Sequence, residues 1–296
     1  MNLRELSRPV RVYWDLPKGP PDALAPEIGE EIAAMKILFI SLHDSASPVS
    51  PVCRDLLDRL SNKNIAISLT APASALSPSL TARLQDSTLK TLLLQSSSLH
   101  EIGVLAEEIG RYGDSTRRPG ISFDLGKGNY RDIPDVVALC LNHGVHDLVI
   151  PIQRLVAGRT LFCMKSRDRG KIALRLRRMD YRKLRITIHD PFLWQVFYPD
   201  ADYHEGGCQA GNSMLYISPE YRVYPCPAMP VELGDLHETT LREIIRSVKK
   251  KELRDALLTP PAECAVCDQV VQCLGACRGR TFALTGTFSR RDPVCK

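Results

Sequence analysis

The sequence predicts an α/β protein: a partial (β/α) TIM-like barrel over residues 1–200, then a small cysteine-rich α+β domain over residues 201–296. Three observations carry that expectation. Short β-rich runs alternate with helical patterns at intervals of roughly 25–30 residues, the spacing of parallel βαβ units with right-handed crossovers. Seven of the ten cysteines lie beyond residue 207. Between the two parts, residues 191–207 hold Pro199, Asp200, Asp202, Gly206 and Gly207, a turn-rich composition that reads as a bridge.

Taken in order, the candidate strands are residues 10–16, 36–42, 64–70, 89–95, 120–125, 146–152 and 184–189. Candidate helices between them span 23–34, 51–60, 100–112 and 133–142, and the last three place apolar residues three and four apart. VCRDLLDRL, inside 51–60, is the clearest case. Six or seven such units suit a whole or partial barrel better than an open doubly wound sheet. Functional groups of a barrel sit at the C-terminal ends of its strands.

Composition narrows the function classes. Apolar content of 44% and charged content of 25% are those of a soluble globular chain. The start, MNLRELSRPVRVYWDL, has no apolar core of a signal peptide, and no apolar run is long enough to span a membrane. A cytoplasmic protein is expected, in which cysteines serve as thiols and ligands rather than as a disulfide framework. The net charge is +5, yet residues 165–185 hold ten Lys or Arg against Asp168 and Asp180. That stretch reads as a solvated helix face or as a docking surface for an acidic partner or peptide. No nucleic-acid module accompanies it.

Cys264, Cys267, Cys273 and Cys277 read C-x2-C-x5-C-x3-C, with Cys208 and Cys226 before them and Cys295 after. Grouped thiolates of this kind suit zinc or iron–sulfur, and C-x2-C spacing does not separate the two. Zinc would take four thiolates at one site and need a histidine beside the other three; His204 and His237 are the candidates.

The flanking residues go further. CQAG at 208–211, LYISPEYRVYPCPAMP at 215–230, LGDLHETTLREII at 233–245 and ECAVCDQVVQCLGACRGRTFALTGTFSRRDPVC at 263–295 resemble the SPASM domain. That domain is the C-terminal extension of many radical SAM peptide-modifying enzymes. Tyr221 departs from the pattern, standing where the family has a turn glycine. The resemblance implies two auxiliary iron–sulfur clusters of the 4Fe-4S type. Cys264, Cys267, Cys273 and Cys295 would hold one. Cys208, Cys226 and Cys277 would hold the other, leaving one iron open. Where complete first clusters have a further cysteine, this chain has Asn212, Ser213 and Met214. Met214 is a weak thioether ligand or strand packing.

The first part resembles a radical SAM barrel whose reactive loops have been replaced. The loop after the first strand runs from Asp15 to Pro21 and has no cysteine, where those enzymes carry C-x3-C-x2-C. His43, Asp44, Ser45 and Ala46 stand where they carry Gly-Gly-Glu-Pro, and Thr70, Ala71 and Pro72 where Thr-Asn-Gly is common. No S-adenosylmethionine binding is expected. Cys53, Cys140 and Cys163 sit singly in apolar patterns and read as small buried hydrophobes.

Other constellations are weaker. His43 and Asp44 form an acid–base pair or serve the loop and cap of the next helix. His143 and His146 bracket Gly144, a helix C-cap. Gly126-Lys127-Gly128 lacks Walker spacing. Taken whole, the chain resembles the SPASM protein of the GeoRSP system. The resemblance implies an accessory iron–sulfur protein that partners a radical SAM/SPASM enzyme and a PqqD-like peptide-binding protein. The alternatives are a zinc-stapled scaffold and an enzyme with a repurposed barrel.

Overall fold

The computed structural model describes residues 5–20, 22–86, 88–112, 117–155, 161–200 and 207–295. Seven β/α units come first: β1 (Arg11–Asp15), α1 (Leu24–Ala34), β2 (Phe39–His43), α2 (Pro51–Leu60), β3 (Ala66–Pro72), α3 (Pro78–Gln85) and β4 (Thr91–Ser96). They continue with α4 (Leu99–Gly110), β5 (Gly120–Phe123), α5 (Ile133–Asn142), β6 (Asp147–Ile150), α6 (Ser166–Leu176), β7 (Arg185–Ile188) and α7 (Pro191–Phe197). The C-terminal part holds β8 (Met214–Ile217), β9 (Arg222–Tyr224), β10 (Gly234–Asp235), α8 (Leu241–Arg246), α9 (Val248–Leu258), α10 (Val270–Cys273) and α11 (Arg278–Thr285).

All seven expected strands are present, and β1 to β7 pair in parallel in chain order. The predicted bridge, 191–207, begins instead with a helix: Asp190 caps α7 by accepting from Phe192 N and Leu193 N, and Phe192, Leu193, Val196 and Phe197 are buried. Residues 201–206, including His204, lie outside the described residues. The unpredicted α3 is two turns long, started by a Ser77 cap and Pro78.

Local chemistry sets the helix starts. Ser50, Ser77 and Ser98 each accept a backbone N–H at the start of α2, α3 and α4, and Pro51 and Pro78 occupy first-turn positions that need no donor. Thr240 and Glu243 close a capping box on α8.

The sheet faces are unequal. Outward residues such as Val12, Trp14, Ile40, Leu42, Ile67 and Leu69 are fully buried under the helices. The inward rows are polar, with Tyr13 beside Ser41, Ser41 beside Ser68 and Ser68 beside Thr91 in register. A closed barrel fills its interior with branched apolar side chains. Here the sheet stays open: β7 ends it on one side, and β8 joins β1 in parallel on the other, with Val12 against Leu215 and Trp14 against Ile217. The two parts therefore share one ten-stranded sheet. Glu31 of α1 accepts from Leu241 N and Arg242 N at the start of α8, a further tie between them. Among the described residues no helix is long and apolar enough to cross a membrane.

Candidate metal centres

The C-terminal cysteines sit at chain reversals. Gly207, before Cys208, has a φ of +55°, and a Cβ there would fall 2.6 Å from Leu274 Cβ. Cys226 follows β9, Cys264 ends a single 3-10 turn, Cys273 ends α10, and Cys277 caps α11 with its sulfur 3.5 Å from Arg280 N. Leu274, Gly275 and Ala276 all have positive φ, which folds the chain back between Cys273 and Cys277. Backbone N–H groups of Ala228 and Met229 reach Cys226, those of Ala210 and Arg278 reach Cys208, and those of Gly275 and Ala276 reach Cys273. Donors aimed at sulfur stabilise a thiolate and raise the reduction potential of a cluster it holds.

The thiols act on one another in two groups. Burial pushes the Cys226 thiol up, and the charges of Cys208 and Cys277 push it further. Cys277 is pushed up to about 12 by burial, with Cys208 adding to it. Cys264 is raised by burial and by Cys295 and Cys267, and Cys273 by burial and by Cys295 and Cys264. Cys267 is exposed, and Cys273 and Cys295 are half-buried. Thiols that oppose each other's ionisation fit a bound cation, which supplies the charge that lets them deprotonate together.

Arg278 makes the same point with the opposite sign. It is 1% exposed and has no carboxylate partner among the described residues. Its guanidinium donates only to carbonyls, of Thr259, Leu274, Ala256 and Phe288, and its Nε finds no acceptor. Cys208 of one group and Cys264 of the other are the anionic sites that act on it. A buried cation needs a nearby negative charge. Thiolates bound to metal provide it, and neutral thiols do not. Among the described residues, no three Cys, His, Asp or Glu side chains meet closely enough to share one ion.

Two more buried arginines brace the loops. Arg254 donates to Cys208 O (2.7 Å) and Ala210 O (2.9 Å) and pairs with Glu5 at 2.8 Å. Arg280 pairs with Asp190 and, at 2.6 Å, with Asp292, which is 0% exposed. Asp292 also accepts from Cys277 N (3.0 Å), and its own carbonyl accepts from Cys295 N (2.9 Å). One residue thereby fixes a cysteine of each group.

Residues 208–268 match the SPASM family, an iron-sulfur cluster-binding domain. This segment is a SPASM domain. Cys273, Cys277 and Cys295 lie beyond the matched residues. The AdoMet-dependent heme synthase of Methanosarcina barkeri is 33% identical over 94 residues, 30% of this chain and 25% of that protein. The enzyme of the same name from Oleidesulfovibrio alaskensis is 30% identical over 92 residues, 30% of this chain and 23% of that protein. The chain thus spans about a quarter of the length of these curated relatives.

The fold has wider likeness. Streptococcus suis SuiB bound to its precursor peptide SuiA superposes with a TM-score of 0.72 at 15% identity, over 99% of this chain and 77% of that one. anSMEcpe with bound AdoMet gives 0.67 at 13% identity, over 97% of this chain and 91% of that one. The architecture is the mixed α/β fold with a parallel sheet that these proteins have, followed by the SPASM domain.

At the C-terminal ends of the barrel strands, on the SPASM side, stands a polar network. Asp15 Oδ2 accepts from Arg154 (2.7 Å) and from Tyr216 of the SPASM hairpin (3.0 Å). His43 Nε2 donates to Gln95 Oε1 (2.7 Å), and Gln95 donates onward to Asp124. Burial, then Arg154, holds the His43 imidazole below its ordinary pKa. His43 therefore faces Asp15 (3.6 Å) rather than pairing with Asp44. Asp44 accepts from Ala46 N and Ser50 N, the loop and cap duty weighed for it.

Tyr221 adopts a φ of +61°, a conformation that favours glycine. Its ring is 3% exposed against Trp14, and its hydroxyl donates to Asp22. These contacts offset a backbone cost of about 1–2 kcal/mol. They also pin the hairpin to the loop after β1.

The remaining expectations resolve simply. His143 is the C-cap of α5 and Gly144, at a φ of +67°, turns the chain just after it, while Asn129 closes the turn at Gly126. Met214 opens β8 and packs against the core. His237 lies edge-on to Tyr221. Cys53 and Cys140 are fully buried, but Cys163 is half-buried between Phe162 and Met164, which pack on the core, and burial raises its pKa while Arg280 lowers it. A small, largely apolar cavity of about 60 Å³, lined by Ile150, Phe192 and Arg280 among others, reaches Cys277. The supporting Arg278, Arg280 and Asp292 escaped sequence reasoning. The one signal for them was charge placed within three residues of Cys277 and Cys295.

Proposed function

We propose that this chain is an accessory iron–sulfur protein carrying two 4Fe-4S clusters and acting with a radical SAM peptide-modifying enzyme. Cys264, Cys267, Cys273 and Cys295 hold one cluster; Cys208, Cys226 and Cys277 hold the other and leave an iron open beside the small cavity at Cys277. Bound there, the clusters supply one-electron sites. The chain's own residues aim backbone N–H groups at the sulfurs and set Arg278 between the sets, which stabilises anionic centres in a buried site. The role is electron relay, or docking of the enzyme or its peptide, in the cytoplasm. The GeoRSP arrangement, with a radical SAM/SPASM enzyme and a PqqD-like protein, is the partnership the sequence resemblance favours.

The observation that carries this reading is a contrast within one sheet. In the SPASM segment Cys226 is raised by Cys208 and Cys277 and Cys264 by Cys295 and Cys267, while the strand ends of the barrel hold the Asp15–Arg154–His43 network and no cysteine after β1. An Asp15–Arg154 ion pair with His43 beside it occupies the place where a reactive centre of such a barrel belongs.

The test is iron, acid-labile sulfide and zinc per chain after anaerobic purification, for wild type and for Cys264→Ala/Cys267→Ala. About seven or eight irons with matching sulfide, falling by roughly half in the variant, are expected for two clusters. One or two zincs without sulfide, in protein offered both iron and sulfide, would replace the redox role with a scaffold. S-adenosylmethionine cleavage by the isolated chain would overturn the accessory role.

A further inference from the structure

The stretch 165–185 is only partly accounted for by surface pairing: Arg175 meets Asp135 and Arg182 meets Asp180. Its last two cations, Lys183 and Arg185, face elsewhere. They line a cavity of about 630 Å³ that runs along the inner face of the open barrel, from the N-terminal ends of its strands at Arg11 and Lys90 to their C-terminal ends at His43 and Arg154. Arg11 at the start of β1, Lys90 before β4, and Arg117 and Arg118 before β5 line the same cavity. Six cations from four strand starts thus face one space. The carboxylate in its lining is Asp147, already engaged by Arg185 through two hydrogen bonds.

We propose that this mouth binds a small polyanion, a molecule with two or more phosphate or carboxylate groups. Like charges gathered around a concavity repel one another and focus a positive potential into it, which a bound anion relieves. Four of the six also make contacts within the chain: Arg11 donates to Ser41 Oγ, Arg117 to Leu84 O, Arg118 to Gly144 O and Arg185 to Asp147. Lys90 and Lys183 are exposed and, among the described residues, neither has an ion-pair partner. Guanidinium forks match phosphate and carboxylate oxygens two at a time, and four of the six cations are arginines.

Volume and shape choose the ligand class. Pockets for small molecules run from about 300 to 1,000 Å³. The charges face inward on a space of that size, which suits a small molecule rather than a duplex or an extended chain. The polar inner rows supply neutral hydroxyls deeper in, from Ser41, Ser68 and Ser122. A packed barrel would have closed this end with apolar side chains. Because β7 and β8 do not pair, the mouth stays open. The six cations stand at the strand ends opposite to the Asp15 network, whose His43 and Arg154 line the far end of the same cavity, and the proposal does not depend on the metal assignment.

The experiment is titration calorimetry on the full-length, metal-loaded chain at low salt, with tripolyphosphate and with citrate as probes. Saturable binding of one molecule per chain is expected, weakening as salt is raised. Lys90→Glu/Lys183→Glu should weaken it by about tenfold or more, with iron content and melting temperature unchanged. Lys249→Glu/Lys251→Glu, the same charge change on the exposed face of α9, should alter it by less than about twofold. Binding of one probe alone supports the site and assigns its chemistry. Three results would overturn the proposal: neither probe saturates, the two variants weaken binding equally, or a hexaglutamate peptide binds where both probes fail.

Discussion

His189 shows how much a single side chain reports about its surroundings. Its Nε2 lies 3.2 Å from the Tyr13 hydroxyl and its ring stands edge-on to that tyrosine. Burial, and then the charge of Arg11, pulls its pKa down to about 4. The folded protein therefore holds a neutral imidazole where an unfolded chain takes up a proton below about pH 6.5. The sign follows: the stability tied to this residue is present above about pH 6.5 and is lost as pH falls towards 4. Chemical denaturation of wild type and His189→Gln across pH 7 to 4 checks it. The wild type should lose more stability over that window than the variant; parallel curves would remove His189 from the account. A sequence offers no hint of this, since a histidine after a strand looks the same whether it is solvated or enclosed.

Among the elements, α11 has the least freedom. A Cβ at Gly279 would stand 2.5 Å from Ala228 O, in the loop that carries Cys226. Gly279→Ala is expected to cost about 1–3 kcal/mol through overpacking and to release iron from the set containing Cys226 and Cys277. Gly170→Ala in α6 makes the opposite case. No atom lies within 4 Å of its added methyl, and it should gain about 0.4–1 kcal/mol. Denaturation midpoints and iron content of the two variants check both signs. The elements themselves were largely legible. Strand alternation and helical spacing located β1 to β7 and gave Pro51–Leu60 and Ile133–Asn142 their bounds. Pro191–Phe197 was hidden because proline and glycine around it look like a linker until Asp190 is seen to cap it. The SPASM segment was legible from cysteine spacing and flanking residues. Arg278 and Asp292 were not, since a buried charge is spelled like an exposed one.

For the whole molecule, the decisive feature is the pairing of β8 with β1. One hydrophobic core runs from Val12 through Ile40 to Leu215, Val223 and Leu257 without a break. The barrel and the SPASM domain should therefore open together. Amide hydrogen exchange checks this: Val12, Trp14, Leu215 and Ile217 should exchange slowly and at a common free energy, and edge strand β7 faster. A hairpin exchanging orders of magnitude ahead of β1 would mean two independent units.

Arg278 carries one last consequence. Until the thiolates around it are bound to metal, its guanidinium is a charge shut in the interior with only carbonyls for company. On the proposed loading, an unfilled copy would be less stable in this segment and would open there more often. Open segments are what proteases cut. Arg278 would then tie the lifetime of the protein to its loading.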